Sequence, residues 1–114
     1  RQRVAGWYEE ALAGMVKTPQ VPEGYESVWA QYTLVTDRRA DLMAGLKEEG
    51  VPTAVYYPKP LHLQKAFASL GHNPGDFPVS EGLAGKVFSI PMSPYVTEEV
   101  VEKVAAGIKR GLAR

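Results

Sequence analysis

Val4, Trp7, Tyr8, Ala11 and Leu12 recur at the spacing of one helix face, so residues 2–14 read as an amphipathic helix ending at Gly14. Pro19 and Pro22 prevent its continuation, because each removes a backbone donor and fixes φ; residues 18–24 read as a linker. Residues 27–35 are dense in Val, Trp, Tyr and Thr with the alternation of a strand. Asp37 stands where an N-cap belongs, Leu42, Met43 and Leu46 form an apolar stripe, and Gly50 suits the left-handed position that closes a helix over residues 38–49. A second strand is expected over residues 51–57, with Pro52 at its start or on an edge. A helix over residues 61–70 should follow, with Leu63, Ala66, Phe67 and Leu70 inward and Gly71 closing it.

Residues 72–79 have turn composition, and Ser80 is expected to cap a short helix through Ala84. Residues 86–90 read as a third strand, stopped by Pro91 and Pro94. Thr97 caps the last helix, with Glu98 and Glu99 at the positive end of its dipole and Lys109, Arg110 and Arg114 at the negative end. Val100, Val101, Val104 and Ile108 form its buried stripe. The order, α then β-α-β-α-α-β-α, predicts an α/β (α+β) domain: a small three-stranded sheet with helices packed on one face. The eleven glycines fall, in this reading, at helix ends and turns.

Composition narrows the function more than the fold. At 114 residues and 45% apolar content the chain has the length and core of one ordinary domain. Thirteen basic and thirteen acidic residues are interspersed without a basic stripe, which argues against nucleic-acid binding. Without cysteine there is no disulfide, thiolate zinc site or thiol nucleophile. No apolar run approaches the ~20 residues that span a bilayer. Arg1-Gln2-Arg3 leads straight into the first helical pattern without a cap or lead, as expected of a piece of a longer polypeptide.

The most unusual local sequence is Val55-Tyr56-Tyr57-Pro58-Lys59-Pro60-Leu61-His62-Leu63-Gln64. It follows a predicted strand, where α/β architectures gather ligand groups. Phenols and imidazole hydrogen-bond sugar hydroxyls, and Lys59 suits an anion such as phosphate or carboxylate. The same residues also suit a plain role, with a tyrosine packed, Lys59 solvated and His62 bonded to local backbone. His72 and Asp76, in the second polar cluster, are too few for a metal site, and the segment reads as a turn. No Gly-x-Ser-x-Gly elbow and no glycine-rich phosphate loop is present, so the chain does not read as a complete enzyme.

Several of these segments stand together in a familiar order. Arg1-Gln2-Arg3-Val4-Ala5-x-x-Tyr8, Gln31-Tyr32-Thr33 with Asp37-Arg38-Arg39, residues 50–64, Asp76-Phe77-Pro78-Val79-Ser80-Glu81, and Phe88-Ser89-Ile90-Pro91-Met92-x-Pro94 follow one another over nearly the whole chain. The chain thereby resembles the C-terminal domain of the DegT/DnrJ/StrS family of pyridoxal-phosphate (PLP) nucleotide-sugar aminotransferases. The resemblance implies the small domain of an aspartate-aminotransferase-like fold, with residues 1–16 as a helix leading from a large domain and residues 17–114 as the small domain. It implies that the large domain holds PLP through its own lysine and that this chain carries no catalytic residue. None of the lysines at 17, 47, 59, 65, 86, 103 and 109 lies in the Ser-rich context of that lysine.

The resemblance further implies that Tyr56, Tyr57, Lys59, His62 and Gln64 contact substrate. The Pro-Thr-Ala-Val form of residues 52–55 looks closest to enzymes that aminate a UDP-linked 2-acetamido-3-oxo-glucuronate with glutamate as donor. Many relatives carry His where this chain has Tyr56. Cytoplasmic dimers serving polysaccharide or related amino-sugar synthesis, with sites near the subunit interface, complete the expectation. Two other readings fit the residues: a stand-alone ferredoxin-like module with a small-molecule pocket near Tyr57, and an interaction domain docking through Trp7, Tyr8 and Leu12.

Overall fold

The computed structural model describes all residues from Arg1 to Arg114. In chain order it contains α1 (Gln2–Leu12), β1 (Tyr32–Val35), α2 (Arg39–Glu48), two 3₁₀ turns (Leu61–Leu63 and Lys65–Leu70), α3 (Pro78–Ala84), β2 (Val87–Ile90) and α4 (Glu98–Leu112). The mixed α/β class is as expected, but the sheet has two strands, not three. β1 and β2 are antiparallel, with Tyr32 opposite Ile90 and Val35 opposite Val87.

The frame is the contact between α2 and α4, and glycine makes it possible. A β-carbon on Gly45 would strike the Gly107 carbonyl oxygen and lie 2.5 Å from the Gly111 nitrogen. One on Gly107 would come within 2.8 Å of the Leu46 Cα, and one on Gly111 within 2.7 Å of the Leu42 Cα. These three glycines lie inside helices, which corrects their expected place at helix ends and turns. An interior helical glycine costs about 1 kcal/mol against alanine, and here that cost is offset by backbones packed against each other. Arg38 then reaches across the helix pair: its guanidinium donates to the carbonyls of Leu112 (2.9 Å) and Arg114 (3.0 Å) at the end of α4 while holding Asp41. Carbonyls left open by helix geometry are thus met by a cation where the dipole favours one.

Around this frame, Val4, Tyr8 and Leu12 of α1, Tyr32 and Leu34 of β1, Leu42 and Leu46 of α2, Phe88 and Ile90 of β2, and Val101, Val104 and Ile108 of α4 close one core. Val100, expected in the buried stripe, is only partly buried. Thr97 caps α4 as expected, its hydroxyl accepting from the Val100 N–H at 3.3 Å. Gly50 takes the left-handed conformation (φ 74°), with Gly50 N–H on Lys47 O (3.0 Å) and Val51 N–H on Leu46 O (2.9 Å). That is the two-bond Schellman closure, and Val51 and Leu46 both join the buried core.

The closure also explains the missing strand. Val51 spends its donor on α2 and Pro52 has none, so the expected strand at 51–57 shrinks to one bridge, Ala54 with Ser89 (3.1 and 2.7 Å). The first strand starts at Tyr32 rather than 27, because Trp29 is left-handed (φ 52°) and takes the Ser27 hydroxyl on its N–H. Asp37 does not cap α2. Arg38 occupies the N-cap position, its N–H bonded to the Thr36 hydroxyl, and Asp37 pairs with Lys86 at 3.1 Å. α1 ends at Leu12, with Gly14 left-handed just beyond it.

The expected helix at 61–70 is two 3₁₀ turns separated by an extended Gln64 (ψ 145°). Every residue of the second turn is exposed, Ala66 included, with Phe67 and Leu70 40% and 64% exposed rather than inward. α3 begins at Pro78, two residues before Ser80, because proline's fixed φ suits the first helical position.

Gly45→Ala should lower stability by about 3 kcal/mol or prevent folding, since overpacking against backbone cannot relax. Gly6→Ala, in open space on α1, should be neutral or stabilising by about 0.5–1 kcal/mol; urea denaturation of the two variants checks the contrast. The buried phenols supply a second expectation. Burial pushes the Tyr8 phenol far up, with Tyr32 beside it adding to the effect. Burial and then the charge of Glu9 push Tyr32 up from 10.0 to about 12. The folded state therefore holds these protons more tightly than the unfolded chain, and the associated stability is complete below pH 10.0 and lost as pH rises through about 12. Denaturation midpoints should fall across that window, and fall less in Tyr32→Phe.

Candidate functional site

The chain leaves the core at Ala54 and returns only at α3, and the unusual decapeptide occupies the start of that excursion. Val55 is the last residue packed on the core. Tyr56 and Tyr57 then project outward, 43% and 68% exposed, with rings 5.6 Å apart and edge to face. The peptide joining them is cis. Pro58 and Pro60 bend the chain on either side of Lys59, and the Gln64 amide donates back to the Lys59 carbonyl at 3.2 Å, closing the loop.

Tyr56 stands between two open clefts of about 260 Å³ each. One has the bridge at its floor and is bordered by Gln31, Thr53 and Met92. The other is walled on one side by Tyr57, Lys59 and Gln64, and on the other by Ser80 and Leu83 of α3. Four of the five candidate residues therefore share one cleft, with Lys59 as its sole charged lining group.

The fifth, His62, turns away from it. Its side chain is 7% exposed and its Nε2 lies 3.5 Å from Glu81 Oε2. Its ring meets Phe77 edge to face at 4.8 Å.

Ser80, Glu81 and Leu83 are not among the candidates: Ser80 reads as a helix cap, Ser80 and Glu81 lie in one of the runs that carry the family resemblance, and Leu83 has no signal of its own. α3 is held to the scaffold by Arg39, which donates to the carbonyls of Ala84 (2.7 Å) and Val87 (3.1 Å). The turn expected over residues 72–79 stops at Phe77, since Pro78 and Val79 belong to α3; within it Asp76 accepts from Asn73 N–H (2.8 Å) and approaches His72 at 3.5 Å. No three His, Cys, Asp or Glu side chains stand together as a metal site would require, and no helix is long and apolar enough to cross a membrane.

Chemically, the cleft offers hydroxyls, an amide and an ammonium around apolar flanks, a set suited to holding a polar ligand with an anionic group. Its lining contains no carboxylate or imidazole to move a proton.

The model of the DegT/DnrJ/EryC1/StrS aminotransferase family matches residues 1–109. The chain belongs to this family. Among its DegT-family relatives, the "pleiotropic regulatory protein" of Geobacillus stearothermophilus is 48% identical over 85% of this chain and 27% of its own. The UDP-N-acetyl-3-dehydro-alpha-D-glucosamine 3-aminotransferase of Acidithiobacillus ferrooxidans is 41% identical over 98% of this chain and 30% of its own. The solved DegT-family aminotransferase of Brucella abortus superposes with a TM-score of 0.86 at 44% identity, over 95% of this chain and 29% of that one. DesV of S. venezuelae, solved with a ketimine intermediate, superposes at 0.92 and 29% identity, over 99% of this chain and 31% of that one. The chain thus spans less than a third of the length of these relatives.

DegT-family aminotransferases depend on PLP, and the groups on this chain do not fit that cofactor. A Schiff-base lysine works from an enclosed setting that sets its protonation. All the lysines here are exposed. Lys59, the one bordering the Tyr57 cleft, faces no carboxylate that could partner a pyridine nitrogen.

Proposed function

We propose that this chain is the sugar-binding wall of a nucleotide-sugar aminotransferase, and that the remainder of the protein holds PLP and the lysine that works with it. The observation that carries this reading is the placement of Tyr57, Lys59 and Gln64 on one open cleft with no carboxylate or imidazole in its lining. The net reaction exchanges the amine of glutamate for the ketone oxygen of the sugar, giving 2-oxoglutarate and an amino sugar. PLP supplies the electron sink for that exchange; this chain supplies orientation. Tyr56, Tyr57 and Gln64 bond sugar hydroxyls, Lys59 meets a phosphate or uronate, and Leu83 offers apolar surface to a ring.

The substrate proposed is a UDP-linked 2-acetamido-3-oxo sugar. The names of two relatives support it: the A. ferrooxidans enzyme above and the UDP-2-acetamido-2-deoxy-3-oxo-D-glucuronate aminotransferase of Pseudomonas aeruginosa, which is 38% identical over 95% of this chain and 30% of its own. In the same reading, residues 1–16 lead from the large domain and residues 17–114 form the small one. The enzyme is a cytoplasmic homodimer, and its product feeds amino-sugar or polysaccharide synthesis. The regulatory name of the G. stearothermophilus relative favours a second reading, in which the fold senses a sugar nucleotide without turning it over.

Full-length protein given glutamate and the UDP-3-oxo sugar should release 2-oxoglutarate and amino sugar in equal amounts, while residues 1–114 alone should release neither. Binding of the sugar nucleotide without turnover would support the regulatory reading instead. In the full-length protein Tyr57→Ala should raise the KM for the sugar nucleotide by about tenfold, the value of one or two lost hydrogen bonds. It should disturb the single-turnover donor half-reaction much less. Equal losses in both half-reactions would count against a sugar-binding wall.

A further inference from the structure

We propose that His62 and Glu81 form a positioning pair that fixes the sugar-binding wall of residues 56–64. This rests on the reading that the wall contacts the sugar nucleotide. The wall is otherwise loosely attached. After the Ala54–Ser89 bridge, the backbone hydrogen bonds around the two 3₁₀ turns stay within the excursion: Leu63 N–H on Pro60 O, Gln64 on Leu61, Phe67 on Gln64 and Gly71 on Ala68. Side chains must therefore hold the far end of the wall, and the His62 side chain is nearly buried there.

Its Nε2 is the one buried side-chain nitrogen or oxygen in the protein without a hydrogen-bond partner. Such atoms are nearly always paired, so an exception calls for a reason. Glu81 Oε2 lies 3.5 Å away but is not aligned as a hydrogen bond. Glu81 is itself immobilised. Its carboxylate accepts from Gly75 N–H at 2.8 and 3.0 Å and from Phe77 N–H at 3.2 Å, all at the start of α3. With its proton on Nε2 the imidazole is a donor beside a fixed acceptor.

A small inward shift of the wall converts this approach into a charge-assisted hydrogen bond, and active-site bonds that are long in the free protein commonly tighten in the complex. The other titratable groups of the cluster are His72, 6.5 Å from His62 by ring centroids, and Asp76, whose Oδ2 lies 3.5 Å from His72 Nδ1 and accepts from Asn73 N–H. Phe77 lies against both imidazoles, at 4.8 and 5.0 Å, and guides the His62 ring. His62 and Glu81 are thus positioning residues, acting on the sugar through Tyr56 and Tyr57.

A packing plug and a positioning pair predict different variants. In the full-length holoenzyme, His62→Leu keeps the bulk and loses the donor, while His62→Gln keeps a donor. The pair predicts that His62→Leu raises the KM for the UDP-3-oxo sugar about tenfold, a typical coupling for contacting polar residues. His62→Gln should restore most of that loss, and single-turnover donor rates should change little in either. Glu81→Ala should match His62→Leu, and the double variant should be no worse than either single one. Should His62→Leu fail to fold, the comparison of His62→Gln with and without Glu81→Ala carries the test: the benefit of Gln must vanish when the carboxylate is gone. Equal KM values for the Leu and Gln variants, or additive effects of His62 and Glu81 changes, would overturn the pair. Tyr57→Ala in the same assay separates the two levels. If it raises KM while His62→Leu does not, the pair fails and the wall stands; if neither does, the wall fails and the pair with it.

Discussion

The backbone contact between α2 and α4 is the constraint from which the rest of the molecule follows. Three glycines let the two helices approach until no β-carbon fits between their backbones, and α2 then delivers each connection the site needs. From its N-terminal end, Arg38 closes α4 and Arg39 holds α3 and the start of β2. From its middle, Leu42 and Leu46 seal the core. From its C-terminal end, the left-handed Gly50 turns the chain toward Ala54, the last fixed point before the cleft wall. Crowding at Gly45, Gly107 or Gly111 would displace both walls of the cleft, since α3 and the tyrosines hang from the same helix.

Much of this was legible from residue pattern. Period located α1, α2 and α4, and Thr97 and Gly50 act as their types require, whereas Asp37 does not cap α2. The resemblance to the sugar aminotransferases, carried by motifs spread along the chain, agrees with a family match over residues 1–109. What failed did so where one residue's backbone was committed elsewhere. The 51–57 run has β-forming side chains, but Val51 donates to a helix end and Pro52 has nothing to donate. Residues 61–70 have a helix-like stripe, but its second half finds nothing to face, so Ala66, Phe67 and Leu70 lie exposed. The glycine seam was missed because glycine inside a helix reads as a weakness until the partner helix is known.

The site divides along the same line. Tyr56, Tyr57, Lys59 and Gln64 could be picked out as an unusual polar cluster, and the structure gathers them on one cleft. The opposite wall and the role of Glu81 depend on α3 folding back across the excursion, a long-range fact with no local signature. His62 looked like its neighbours in sequence, yet 3₁₀ geometry turns it to the inside.

The central claim is that the α2–α4 scaffold is passive and that residues 55–64 meet the sugar nucleotide. Hydrogen–deuterium exchange on the full-length holoenzyme, with and without saturating UDP-3-oxo sugar, tests it most directly. The account predicts slower exchange in peptides covering residues 55–64 and no change in those covering α2 and α4. Unchanged exchange over 55–64 at saturation would contradict it, because ligand would then be held without touching the wall this chain provides.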